Sequence, residues 1–223
     1  MKKLILTTSL AFVSLMSPLA LQSVQADNIQ SYAIQAKWPE FEKAVRETTE
    51  KKLNFADSPR LKNGGVGALM RGLLGNEHVI DVNITDNQII PEDLPHLIKY
   101  LESGGPLQVL LMGGTKISDE NLIKISKALP KSRNLKIINM MASDFGEDAS
   151  IAFFQALPSL KSLELVNFTV DKLSLKLAQA IADVISSSGH FGKLQLLAMS
   201  KEEGAAKVIE DAARLKKVGV SIF

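Results

Sequence analysis

One apolar pattern recurs along this chain and limits what it can fold into. At Leu107 it reads Leu107-x-x-Leu110-x-Met112-x-x-Thr115-x-Ile117. The same spacing starts at Val79 (Val82, Ile84, Asn87, Ile89) and again at Leu135 (Ile138, Met140, Ser143, Phe145). A fourth copy fits from Leu160 (Leu163, Leu165, Phe168, Val170), and a worn fifth from Leu194 (Leu197, Met199). A degenerate copy precedes them, because Leu53-Asn54-Phe55-Ala56-Asp57-Ser58 aligns with Val82-Asn83-Ile84-Thr85-Asp86-Asn87 at an offset of 29. Alternating apolar residues at positions 4 and 6 predict a short strand with one buried face. A repeat of this size cannot bury that face alone, so neighbouring copies must stack.

An amphipathic helix is expected between successive strands. The predicted apolar faces are Leu94, Leu97, Ile98 and Leu101, then Leu122, Ile125 and Leu129, then Phe153, Phe154 and Leu157. Gly104-Gly105, Pro130 and Pro158 stop these helices, and Ser118 is placed to cap the second. Ala128-Leu129-Pro130 and Ala156-Leu157-Pro158 match at an offset of 28, which supports internal duplication. With the fourth strand at Leu160, the loop after Pro158 is read as three residues shorter than its counterpart. A longer helix over 171–187 uses Leu173, Leu177, Ile181 and Val184, and a last one uses Ala205, Val208, Ile209 and Ala212. Val218 to Phe223 reads as a closing strand.

This pattern resembles a leucine-rich repeat, and the helix between strands resembles the ribonuclease-inhibitor-like class. The resemblance implies an α/β solenoid, with short parallel strands on the concave side and helices on the convex side. It also implies that position 9 is a small polar residue bonding backbone inside the turn. Here that residue is Ser58, Asn87, Thr115, Ser143 and then, out of pattern, Phe168. Three parts are expected: residues 1–26, a leader and capping helix over 27–49, and five to six repeats over 50–223. Within the second part, 27–37 reads as polar and irregular, and the helix runs from Pro39 to about Lys51.

Residues 1–26 have the layout of a secretory signal peptide: Lys2 and Lys3, an apolar stretch from Leu4 to Leu21, and Val24-Gln25-Ala26 before the cleavage point. Serine, threonine and Pro18 break that stretch, so no stable membrane anchor is expected after cleavage. The expected location is therefore periplasmic or secreted. The chain has no cysteine, which rules out a disulfide framework. Extracellular animal and plant proteins of the resembled family usually close their ends with disulfides, so the resemblance favours a bacterial exported protein. Setting Lys2 and Lys3 aside leaves 24 basic against 24 acidic residues, and this balance gives no electrostatic case for nucleic acid.

The residues that alternate with the inward ones define the candidate partner-binding surface. Position 3 gives Asp81, Val109, Ile137, Ser162 and Leu196. Position 5 gives Asn54, Asn83, Leu111, Asn139, Glu164 and Ala198. Position 7 gives Ala56, Thr85, Gly113, Met141, Val166 and Ser200. Its apolar middle is Val109, Leu111, Ile137, Met141 and Val166, rimmed by Asp81, Asn83, Asn139 and Glu164. An apolar patch with a polar rim is suited to holding a protein or peptide. Nothing points to catalysis, a metal or a cofactor. His78, His96 and His190 are scattered, Asn63-Gly64-Gly65-Val66-Gly67 lacks the lysine of a phosphate-binding loop, and no Gly-x-Ser-x-Gly elbow occurs. The expected function is an exported binding module. A self-associating structural envelope protein and an enzyme with an unrecognised site remain as alternatives.

Overall fold

A computed structural model describes residues 28–56, 61, 63–188 and 191–223. The expected signal peptide, Asp57, Ser58 and His190 lie outside the described residues. The architecture is the expected α/β solenoid of leucine-rich-repeat type. Seven parallel strands form one sheet in chain order: β1 (Lys52–Asn54), β2 (Asp81–Asn83), β3 (Val109–Leu111), β4 (Ile137–Phe145), β5 (Leu165–Leu173), β6 (Lys193–Lys201) and β7 (Gly219–Ile222). Among the described residues a short helical segment over 28–34 and α1 (Trp38–Glu47) precede β1, and one α-helix follows each of β1 to β6: α2 (Gly65–Leu73), α3 (Leu94–Glu102), α4 (Asp119–Ala128), α5 (Glu147–Ala156), α6 (Leu175–Ser187) and α7 (Ala205–Lys216). Consecutive strands are neighbours because each returning helix advances the chain by one repeat.

Register defines the core. Leu53 pairs with Val82, Val82 with Leu110, Leu110 with Ile138, Ile138 with Val166, and Val166 with Leu194. All six are buried. Two residues on, Phe55, Ile84, Met112, Met140, Phe168 and Leu196 make a second buried column. Three residues before the first column, Val79, Leu107, Leu135, Leu163 and Phe191 make a third. These columns meet the buried faces of the helices, including Leu97, Leu122, Ile125, Phe153, Leu177, Ile181 and Ile209.

The structure corrects the last two copies. The fourth starts at Leu163, 28 residues after Leu135, and the fifth carries its position 4 at Leu194. Leu160 and Leu163 are both aliphatic and three apart, so the L-x-x-L-x-L template fits either start. A three-residue slip exchanges the two faces of a strand, since side chains alternate with period two. The loop after Pro158 is not shortened. Leu157–Ser159 forms a short 3-10 turn like Leu129–Lys131, and Leu160 occupies the place of Ser132. Phe168 is thus not a turn residue. It lies in the core with ring centroids 4.6 Å from Phe153 and 5.3 Å from Phe145. Leu197 is half-buried, and Met199, expected inside, is 66% exposed.

The N-terminal cap also differs from expectation. Residues 28–34 are helical rather than irregular, because Ile29, Tyr32 and Ala33 share one helical face; Ile29 and Ala33 are buried. α1 stops at Glu47, short of Lys51. Beyond it, buried Asn76 donates to the Val45 and Thr48 carbonyls at 2.9 Å and accepts from the backbone of His78 and Val79. This single amide ties the cap to the start of β2.

Strand length changes along the solenoid, and position 8 explains it. Asp86, Gly114 and Ala142 all have left-handed backbone, with φ of 59°, 67° and 56°. That turn ends β2 and β3 and interrupts the register of β4 between Met140 and Phe145. Position 8 of the fourth repeat is Val170, and a β-branched residue resists positive φ. β5 therefore runs straight on to Leu173, and α6 starts at Leu175 rather than near Asp171. Ser174 caps it by accepting from Leu177 N at 3.0 Å.

Candidate interaction surface

The outward residues of β1 to β7 form one continuous face. Its position-3 row is Lys52, Asp81, Val109, Ile137, Leu165, Lys193 and Gly219, each paired directly with the next. The position-5 row is Asn54, Asn83, Leu111, Asn139, Asn167, Gln195 and Ser221. Seven of the nine residues singled out from sequence share this face: Asp81, Asn83, Val109, Leu111, Ile137, Asn139 and Met141, all half-buried. Val166 does not belong to it. It points inward and is fully buried, as the corrected register requires. Glu164 lies one residue before the position-3 row, exposed at the edge, with its carboxylate 3.8 Å from Lys136.

Leu165 takes the place assigned to Ser162, Asn167 that of Glu164 and Thr169 that of Val166, although Thr169 is buried and accepts from Ala142 N; Lys193, Gln195 and Leu197 extend the face. The offset of 28 between the two Ala-Leu-Pro triplets, carried through the following loop, points to all of them. The aliphatic centre therefore consists of Val109, Ile137 and Leu165 in a row, with Leu111 two residues after Val109 and Met141 at the middle of β4.

The asparagines of position 5 have a structural task. Asn54, Asn83 and Asn139 each accept, through Oδ1, from the backbone N–H two residues on, at 3.1, 3.0 and 2.9 Å. This local bond satisfies a donor that would otherwise lack a partner where the strand turns. The repeat that starts at Leu107 has Leu111 and Gly113 instead. A Cβ on Gly113 would come within 2.8 Å of the Met141 carbonyl, so the backbones approach too closely there for a side chain.

Charge on the face is sparse. Rows 5 and 7 carry none among the described residues, and Asp81 is paired with Lys52 at 3.1 Å. Two carboxyls with displaced protonation on the helical side lie at helix starts. Burial raises the Asp93 carboxyl, against the lowering effect of the Gly67 and Ile90 N–H groups that it accepts. Ser174 and Lys176 hold Glu147 below the usual range. His78 precedes β2 and His96 lies on α3. Among the described residues no group of three or more His, Cys, Asp or Glu is placed to hold a metal ion. No helix among them is long and apolar enough to cross a membrane.

No protein-family profile matches this chain, and neither does any curated protein. Solved structures of similar shape exist. Actin-binding site 2 of leiomodin-1 is 12% identical over 91% of both chains, with a TM-score of 0.45. An internalin from Listeria monocytogenes is 15% identical over 87% of this chain and 54% of that one, with a TM-score of 0.44, so this chain spans about half of that protein. Both are distant likenesses, and the fold assignment stands on the register and layers described above.

Proposed function

We propose that this chain is an exported binding module that holds a protein or peptide on the outward face of its parallel sheet. One observation carries the reading. Val109, Leu111, Ile137, Leu165 and Met141 form a contiguous aliphatic patch that the solenoid leaves half-exposed, while the inward columns beside it are fully buried. These five side chains do nothing for repeat stacking. Apolar anchors at the centre of a patch dominate binding, and rim charges add less. The polar rim of Asp81, Asn83, Asn139 and Asn167 completes the surface. Export rests on residues 1–26, with cleavage after Ala26. The function is binding rather than catalysis.

The test is capture with the folded chain as bait, from the envelope and culture fluid of the native host. Leu111→Asp and Met141→Asp should each abolish a capture seen with the parent while leaving circular dichroism and the denaturation midpoint unchanged. Capture that survives both changes would overturn the reading. Mass spectrometry of the N-terminus from the same host should find a chain starting at Asp27; recovery of only an intact Met1 species would rule out export by cleavage.

A further inference from the structure

The position-3 row carries an inference that rests on the binding reading above. Val109, Ile137, Leu165 and Lys193 stand on four adjacent strands in direct register: three aliphatic side chains, then a cation. Adjacent strands lie about 4.8 Å apart, so the row is a ladder of about that step. An α-helix lying along the row places a residue on one face every turn of about 5.4 Å, within about 0.6 Å of the strand spacing at each step. An extended peptide presents same-side residues about 6.6–6.8 Å apart and overshoots by nearly 2 Å at each strand. The face of a sheet also offers no free backbone edge for such a peptide to pair with.

Charge fixes the direction. Lys193 is exposed and has no ion-pair partner among the described residues, whereas Asp81 at the other end is already paired with Lys52. The C-terminal end of a helix carries partial negative charge and favours a cation beside it. We infer that the occupant is one amphipathic helix of a partner protein. It crosses β3 to β6 with apolar residues at i, i+4 and i+7 over Val109, Ile137 and Leu165, and an acidic residue at i+11 over Lys193. The uncharged amides Asn139, Asn167 and Gln195 flank it on one side.

The probe is a stapled helical peptide of about fifteen residues with leucines at i, i+4 and i+7 and glutamate at i+11, the spacing that keeps them on one face. Titrated into the folded chain, it should shift the methyl NMR signals of Val109, Ile137 and Leu165. Lys193→Glu should weaken it by about threefold to fivefold, the range of an exposed ion pair. A peptide with lysine at i+11 should show the reverse preference between the parent and Lys193→Glu. Three results would overturn the helix: no methyl shift at millimolar peptide, equal binding by a scrambled sequence, or equal binding by a proline-interrupted version that cannot be helical. If partner capture still depends on Leu111 in those cases, the binding face survives and only its helical occupant is lost. If capture is also indifferent to Leu111, both fail.

Discussion

At the scale of single residues, the polar groups inside the solenoid separate into satisfied and unsatisfied ones. Asn87 is buried and donates to the Phe55, Ile84 and Thr85 carbonyls, while its Oδ1 accepts from Leu61 N. Asn87→Ala leaves the Phe55 and Thr85 carbonyls and the Leu61 N–H without this partner, while the Ile84 carbonyl keeps the backbone N–H of residue 87, and it should cost about 2–3 kcal/mol in urea unfolding. The Tyr100 hydroxyl is also buried but has no hydrogen-bond partner among the described residues, and burial pushes its ionisation well above the usual phenol range. Tyr100→Phe should therefore be neutral or stabilise by up to about 1 kcal/mol. A clear loss of stability would mean that the hydroxyl has a partner. Asp93 sets a pH dependence. Its carboxyl is raised above the ordinary 3.8, so the folded state keeps the proton to higher pH than the unfolded one. Its contribution is complete below pH 3.8 and is lost as pH rises through the folded value. The stability of the parent minus that of Asp93→Asn should fall across that window. A difference that rises instead would show that the two backbone bonds outweigh burial.

At the scale of elements, two adjacent residues of β5 test the register. Val166 faces the core and Leu165 faces out, so Val166→Asp should prevent folding while Leu165→Asp should leave the denaturation midpoint near that of the parent. Leu110→Ala and Leu163→Ala should each cost roughly 2–5 kcal/mol, as large-to-small changes in a packed core do. The copies that form β2 to β4 were legible because Val79, Leu107 and Leu135 admit one register, and the offset of 29 placed Leu53 of β1 against Val82 correctly. The copy that forms β5 was not, because Leu160, Leu163 and Leu165 satisfy the apolar template as well as Leu163, Val166 and Phe168 do. Apolar spacing alone cannot choose between starts three apart. The loop could have chosen, since Leu129-Pro130 and Leu157-Pro158 begin equal 3-10 turns. Of the nine face residues read from sequence, the slip cost only the two beyond β4. The helical segment over 28–34 was missed because Ile29, Tyr32 and Ala33 are few apolar residues among many polar ones.

At the scale of the whole molecule, the repeats are coupled only to their neighbours, so stability is distributed along one axis. The pairing between strands is unequal along it. β1 and β2 share three residue pairs, whereas β5 and β6 share eight, since Val170 keeps the strand from turning. Amide hydrogen exchange should accordingly be slowest in β5 and β6 and faster in β1 and β2; equal protection throughout would mean that the solenoid opens as one unit. A mechanical consequence follows for a molecule tethered at one end and loaded at the other. Tension would strip the short-stranded repeats first, in small steps, and the last and largest rupture would come from the long ladder around Phe168.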